Sequence, residues 1–292
     1  MKTKIELDPT CSFIEVPVRA ENYKIRSWGN RDGASALALL VHGLGAQSGW
    51  FEAAAKELAA RGFFVLAYDQ RGHGSRADVS LASYKEWIDD LAELLRQLKA
   101  RYSSMPFYLM GNSMGGLVVM ASSHLVEPDG IVIFSPGFDG HPQTFSLGYK
   151  FRSIFCALTS PLKPVALPYG FEIVTRDLAV RDWLEADPLK KKGLPGYMLF
   201  ELLKLSQNVI ANLKSVHVPV LMITAGQEKV VNNQVNEKLF KRLTAPSKKH
   251  VHMEEAWHDL MFDPQVDEVA DAIKVWQKEV ESSRSQGACA SV

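Results

Sequence analysis

The sequence predicts an α/β fold built on a mostly parallel sheet with helices on both faces. Short, nearly continuous apolar runs recur at 36–41, 63–68, 107–111, 131–135 and 220–224, the pattern of strands buried on both faces. Amphipathic helical stretches separate them, and strands alternating with helices make βαβ units. The chain has 292 residues, enough for one large domain, since single cores stop growing near about 250–300 residues.

Residues 13–19 and 23–28 alternate apolar and polar side chains around Ala20-Glu21-Asn22, which reads as an antiparallel hairpin with one wet face. Strand 36–41 leads to a helix over 50–60 and then strand 63–68. The clearest helix follows: Tyr84, Trp87, Ile88, Leu91, Leu94, Leu95, Leu98 and Tyr102 fall on one face, with Asp89, Asp90, Glu93 and Arg96 opposite. Strand 107–111, a helix over 117–126 and strand 131–135 complete six strands. Strand 220–224 and the alternating strand 249–253 bring the sheet to eight. A last helix carries Val266, Val269, Ile273, Trp276 and Val280 in one stripe.

Between 137 and 216 the alternation breaks. This stretch holds Pro142, Pro161, Pro164, Pro168, Pro188 and Pro195, many aromatic residues and no convincing buried strand. It is expected to be a lid inserted after strand six, over the carboxyl ends of the strands where open α/β sheets bind ligands, and not a domain with its own sheet. The core is then 1–136 with 217–281, and the small, polar residues 282–292 are expected to be a disordered tail.

Lys+Arg and Asp+Glu number 33 each, so no cationic excess favours nucleic acid as a partner. Three cysteines lie far apart without a C-x-x-C, which suggests neither disulfides nor a zinc site and fits a reducing compartment. Residues Met1 to Leu7 alternate charged and apolar side chains without an apolar h-region, and no apolar stretch approaches about 18 residues. A cytoplasmic protein, soluble or peripheral to a membrane, is the expectation.

The sharpest local signal is Gly111-Asn112-Ser113-Met114-Gly115-Gly116. It follows a strand and opens a helix, the setting in which a sharp turn exposes a nucleophilic serine. A serine hydroxyl needs a base, itself oriented by a carboxylate. In hydrolases of this architecture the acid follows the seventh strand and the histidine the eighth. Between Pro219 and His250 the only carboxylates are Glu228 and Glu237; Glu228 sits in the turn after strand 220–224, and Glu237 in a helical stretch with Lys238 and Lys241. Glu228 is the chosen acid, with Asp139, just after strand six, as its rival. His258 lies between the last strand and the last helix, whereas His250 and His252 alternate within the strand. His258 is therefore the expected base. After strand 36–41, His42-Gly43-Leu44-Gly45 brings a glycine-rich loop to the same edge, and the backbone N–H groups of Leu44 and Met114 are the natural pair to hold an oxyanion. His42 is expected to hold that loop and not to transfer protons.

These residues resemble the α/β-hydrolase superfamily, and within it the monoacylglycerol lipase and lysophospholipase-like serine hydrolases. The carriers are His42-Gly43-Leu44-Gly45 with Ser48-Gly49, Leu58-Ala59-Ala60-Arg61-Gly62-Phe63, Asp69-Gln70-Arg71-Gly72-His73-Gly74, the Ser113 turn and Asp187-Pro188-Leu189, with the acid and histidine regions. The resemblance implies an α/β-hydrolase fold and hydrolysis of a small-molecule acyl ester through an acyl-enzyme, with no cofactor and no metal. The chain departs from the family in Asn112, where His is commoner, in Ser75-Arg76, which stands in the reverse order, and in Glu228, where Asp is usual.

Candidate substrates are monoacylglycerols, lysophospholipids or similar esters; a thioester or amide would use the same triad, and a non-catalytic receptor is the remote alternative. The lid presents Phe138, Phe145, Leu147, Tyr149, Phe151, Ile154, Phe155, Leu158, Leu162, Val165, Leu167 and Tyr169. That apolar load suits an acyl chain, peripheral contact with a lipid surface, or plain packing on the core.

Overall fold

The computed structural model describes residues 10–191 and 193–289. Strands β1 (Ser12–Val18) and β2 (Glu21–Trp28) form the expected hairpin. Its turn is tighter than the sequence suggests: Arg19 takes a positive φ of 56° and β2 begins at Glu21. Next come β3 (Ala36–Val41), α1 (Glu52–Ala60), β4 (Phe63–Tyr68), α2 (Lys85–Arg101), β5 (Phe107–Asn112), α3 (Met114–Val126) and β6 (Gly130–Phe134). The segment 137–216 carries α4 (Leu147–Thr159), β7 (Pro164–Ala166), α5 (Leu178–Ala186), β8 (Gly193–Pro195) and α6 (Gly196–Ala211). Then follow β9 (Val220–Ala225), α7 (Asn233–Lys241), β10 (Lys248–Met253) and α8 (Val266–Cys289).

Eight strands make one sheet in the order β1-β2-β4-β3-β5-β6-β9-β10. The first two are antiparallel to their neighbours and the rest are parallel. From β3 the chain goes first to one neighbour, β4, and then to the other, β5, so a crevice opens at the carboxyl ends of β3 and β5.

The strands are uninterrupted in apolar character because each faces two cores. Along β3, Leu37, Leu39 and Val41 join the core with α2 and α3, whose largest side chain is Trp87. Ala36, Ala38 and Leu40 face α1 and α8, where Trp276 is the anchor. Burial of this kind is worth about 25 cal/mol per Å2 of apolar surface.

Several elements differ from the expectation. Asp90 is not on a solvated face: it is only 2% exposed and meets Arg71 at 3.1 Å, Arg76 at 3.5 Å and Arg19 at 3.7 Å. A buried carboxylate requires such partners, and periodicity cannot show them because they come from other segments. The insertion does carry a small sheet, β7 paired antiparallel with β8 through Val165 and Leu194; strands of three residues are too short to leave an alternating pattern. Helix α8 runs on to Cys289, so the expected tail at 282–289 is helical, while 290–292 lie outside the described residues.

Candidate active site

Ser113 sits between the end of β5 and the start of α3 with φ 52°. A non-glycine residue at positive φ is strained and persists only where its surroundings hold it. Here the Ser113 N–H donates to the Phe134 carbonyl at 2.9 Å, and the Ser113 carbonyl accepts from Gly116 and Gly137 at 3.0 and 3.1 Å. The flanking glycines are steric requirements: a Cβ on Gly111 would stand 2.3 Å from the Gly115 carbonyl oxygen, and one on Gly115 would stand 2.0 Å from that of Val41.

His258 is buried, and its Nδ1 lies 2.8 and 3.0 Å from the two oxygens of Glu228. Because a carboxylate accepts, Nδ1 is the donor in this network, which leaves Nε2 as the acceptor of the ring. Glu228 Oε1 also accepts the N–H groups of Val230 and Val231 at 2.7 and 3.1 Å. Burial pushes the Glu228 carboxyl up, but His258 and these amides outweigh it and hold the group below its ordinary range. Burial pushes His258 down, and Glu228 outweighs that, so its imidazole stands above the ordinary value. The loop carrying His258 is fixed by Asp263, which accepts from Trp257 N–H at 3.1 Å and Gln265 N–H at 3.0 Å.

Asp139 is engaged elsewhere. Its carboxylate accepts from the Gly140 N–H at 2.9 Å and the Lys150 ammonium at 2.8 Å, and its carbonyl accepts from Asn232 N–H at 2.9 Å. His250 and His252 both turn to the Thr224 hydroxyl, at 2.8 and 2.9 Å.

His42 is buried, and both ring nitrogens are bonded. Its Nδ1 donates to the Gly43 carbonyl at 2.8 Å, its Nε2 accepts from Gln70 N–H at 3.0 Å, and Gln70 Nε2 returns a bond to the His42 carbonyl at 2.7 Å. Burial holds this imidazole below its usual value. The loop it anchors passes close to the serine: a Cβ on Gly43 would lie 3.3 Å from Ser113 Cβ. Across the serine, a Cβ on Gly137 would lie 3.4 Å from the Met114 nitrogen.

Two cavities meet at Ser113. One, of about 200 Å3, is lined by Ser113, His258, Asn112, Asp259, Lys190 and Lys191 among others. The other, of about 360 Å3, is walled by Phe138, Phe145, Ile154, Leu199, Leu202 and Val231. Leu44 borders both, and Met114 the second. Of the aromatic and aliphatic residues of the insertion, Phe138, Phe145, Tyr149, Ile154 and Tyr169 face the larger cavity. Leu147, Phe151, Phe155, Leu158 and Leu162 point into solvent, up to 78% exposed.

Sequence reasoning missed two contributors. Helix α6 lends Leu199, Leu202 and Leu203 to the cavity while burying Met198, Leu205 and Val209; its run of apolar residues on several faces was the available signal. Asp259, buried beside His258, accepts a hydrogen bond from Asn112 Nδ2, a pairing across 147 residues that nothing local announces. Among the described residues, no group of three or more His, Cys, Asp or Glu side chains is arranged to hold a metal ion.

A family model described as serine aminopeptidase, S33, matches residues 32–265. The chain is 23% identical over 257 residues to a monoacylglycerol lipase of Mycolicibacterium smegmatis, covering 85% of this chain and 90% of that protein. It is 24% identical over 251 residues to a phospholipase of Bacillus subtilis, covering 84% and 96%. Among solved structures, a soluble variant of the monoglyceride lipase of Saccharomyces cerevisiae superposes with a TM-score of 0.84 at 18% identity, over 96% of this chain and 98% of that one. The chain belongs to the serine aminopeptidase S33 family, as an α/β hydrolase of the lipase and esterase type similar to monoacylglycerol lipases.

Proposed function

We propose that this protein hydrolyses carboxylic esters of lipid-like acyl groups, such as monoacylglycerols or lysophospholipids, through Ser113, His258 and Glu228. One observation carries the reading: a strained serine stands where a larger apolar cavity meets a smaller one of mixed lining, and the smaller is also lined by a histidine whose Nδ1 is held by a buried carboxylate. Ser113 Oγ attacks the ester carbonyl while His258 Nε2 takes its proton. The oxyanion forms against the N–H groups of Leu44 and Met114, donors fixed before the reaction and worth about 3 kcal/mol each in comparable sites. The imidazolium returns its proton to the departing alcohol, and a water then releases the acid and restores the serine. Glu228 keeps Nδ1 protonated and favours the imidazolium.

The larger, apolar cavity takes the acyl chain and the smaller one, which holds Lys190, Lys191 and Asp259, the head group. The solvent-facing side chains Leu147, Phe151, Phe155, Leu158 and Leu162, flanked by Lys150, Arg152 and Lys163, support the segment 137–216 as a lid that rests peripherally on an anionic lipid surface. No helix among the described residues is long and apolar enough to cross a membrane.

The test is labelling by a fluorophosphonate probe, with p-nitrophenyl esters of graded chain length assayed in parallel and Ser113→Ala as control. Labelling that depends on Ser113, with an optimum at a medium or long chain, is the expected outcome. A folded protein that takes no label and cleaves no ester overturns the reading.

A further inference from the structure

The two cavities at Ser113 have three lining residues in common: Leu44, Ser113 and Tyr169. Ser113 is the floor of this junction, Leu44 arrives from the loop after β3, and Tyr169 arrives from the insertion, between β7 and α5. The Tyr169 ring is backed by aromatic neighbours. Phe145 packs on it at 5.7 Å between centroids and 64° between planes, and Tyr149 packs on Phe145 at 5.7 Å. With Phe145 it also rests against the cluster that contains Trp50, Val174 and Phe262. A ring packed against such neighbours is confined, so it forms a wall of the junction.

We propose that Tyr169 is a specificity-determining residue whose ring, standing between the two cavities at the nucleophile, restricts the enzyme to esters of unbranched acyl chains. This rests on the reading that Ser113 is the nucleophile and that the larger cavity takes the acyl chain. Once the carbonyl carbon is bonded to Ser113, the next carbon of the acyl group lies at the junction. A linear chain leaves that carbon in one direction and turns into the apolar cavity. A second substituent on the same carbon has two routes. It displaces the Tyr169 ring against Phe145, or it enters the smaller cavity, of about 200 Å3, lined by Lys190, Lys191 and Asp259 beside Trp50, Phe171 and Val174, where it takes the space of the head group.

The experiment compares p-nitrophenyl octanoate with p-nitrophenyl 2-ethylhexanoate, isomers that share a leaving group. The intrinsic slowing caused by the branch is the same for every variant, so it cancels when the linear-to-branched ratio of kcat/KM is compared between them. Tyr169→Ala is expected to lower that ratio at least about tenfold, Tyr169→Leu by less, and Tyr169→Phe to stay within about twofold of the parent, because the wall is the ring and not its hydroxyl. Circular dichroism melts accompany each variant, and Tyr169→Leu decides the matter should the alanine variant not fold. Ratios within about twofold of the parent in folded Tyr169→Leu and Tyr169→Ala overturn the proposal. In that event Ser113-dependent labelling and ester cleavage by the parent leave the hydrolase reading standing; a parent that does neither fails both.

Discussion

Helix α2 lays Trp87, Leu91, Leu94, Leu95 and Leu98 against the sheet, whereas α4, amphipathic as well, buries no residue and leaves Phe151, Phe155 and Leu158 in solvent. The difference lies in connectivity. Helix α2 links the parallel neighbours of β3 and must lie flat on the sheet between them. Helix α4 lies in an insertion tied down at other points: Asp187 accepts from Trp50 Nε1 at 2.6 Å and from Gln47 Nε2 at 3.2 Å, and α6 packs its own apolar face on the core. An apolar stripe states which face shuns water, and topology decides whether the protein itself covers it. Under the proposed function, the sheet and its crossover helices are expected to hold the chemistry and the insertion to select and receive the substrate.

The largest effect that sharpens this division is expected at the turn after β5. Ser113→Ala should lower kcat by at least about 10^4-fold with an unchanged melting temperature; retained ester turnover would remove the chemistry from the core. Glu228→Gln should cost about 10^2- to 10^4-fold, while Asp139→Asn, at the base of the insertion, stays within about tenfold. Equal losses in the two would break the assignment of the acid. The pH profile adds a direction. In the proposed mechanism His258 must be neutral to accept the serine proton, and Glu228 raises its pKa, so the acidic limb of kcat/KM is expected above the ordinary imidazole value. Removing the Glu228 charge lowers that pKa and should move the limb to lower pH.

Smaller effects separate the two helices directly. In urea unfolding, Leu91→Ala should cost about 2–5 kcal/mol, since it opens a cavity beneath α2. Phe155→Ser, on α4, should cost no more than about 0.5 kcal/mol. The same Phe155→Ser, combined with Phe151→Ser, is expected to weaken partition onto vesicles containing anionic lipid by about tenfold in a sedimentation assay. Unaltered partition would leave the exposed face of α4 without that role.

Much of this was legible in the sequence because the informative residues stand at element boundaries. Ser113 and Glu228 follow strands with continuous apolar runs and His258 follows the alternating strand 249–253, so their order along the chain implied nearness in space. Glycines at 111 and 115 carried the same message through their small size. What remained hidden was held by partners distant in sequence or by elements too short to repeat. Asp90 looked like a surface carboxylate because its arginines come from a loop and a hairpin. Asp259 looked like an ordinary neighbour of His258 because its partner, Asn112, is on another strand. The lining of the larger cavity was half visible, since the aromatic residues of the insertion stood out while the choice between cavity and solvent depends on how α4 lies against α6.

The loop after β3 is held by an imidazole whose two nitrogens are already committed, one to Gly43 and one to Gln70, and whose burial disfavours a proton. A scaffold of this kind does not change its charge over the range in which His258 does. In the proposed mechanism, acidifying the medium is therefore expected to protonate His258 before His42, so that turnover falls while the receptacle for the developing negative charge keeps its shape.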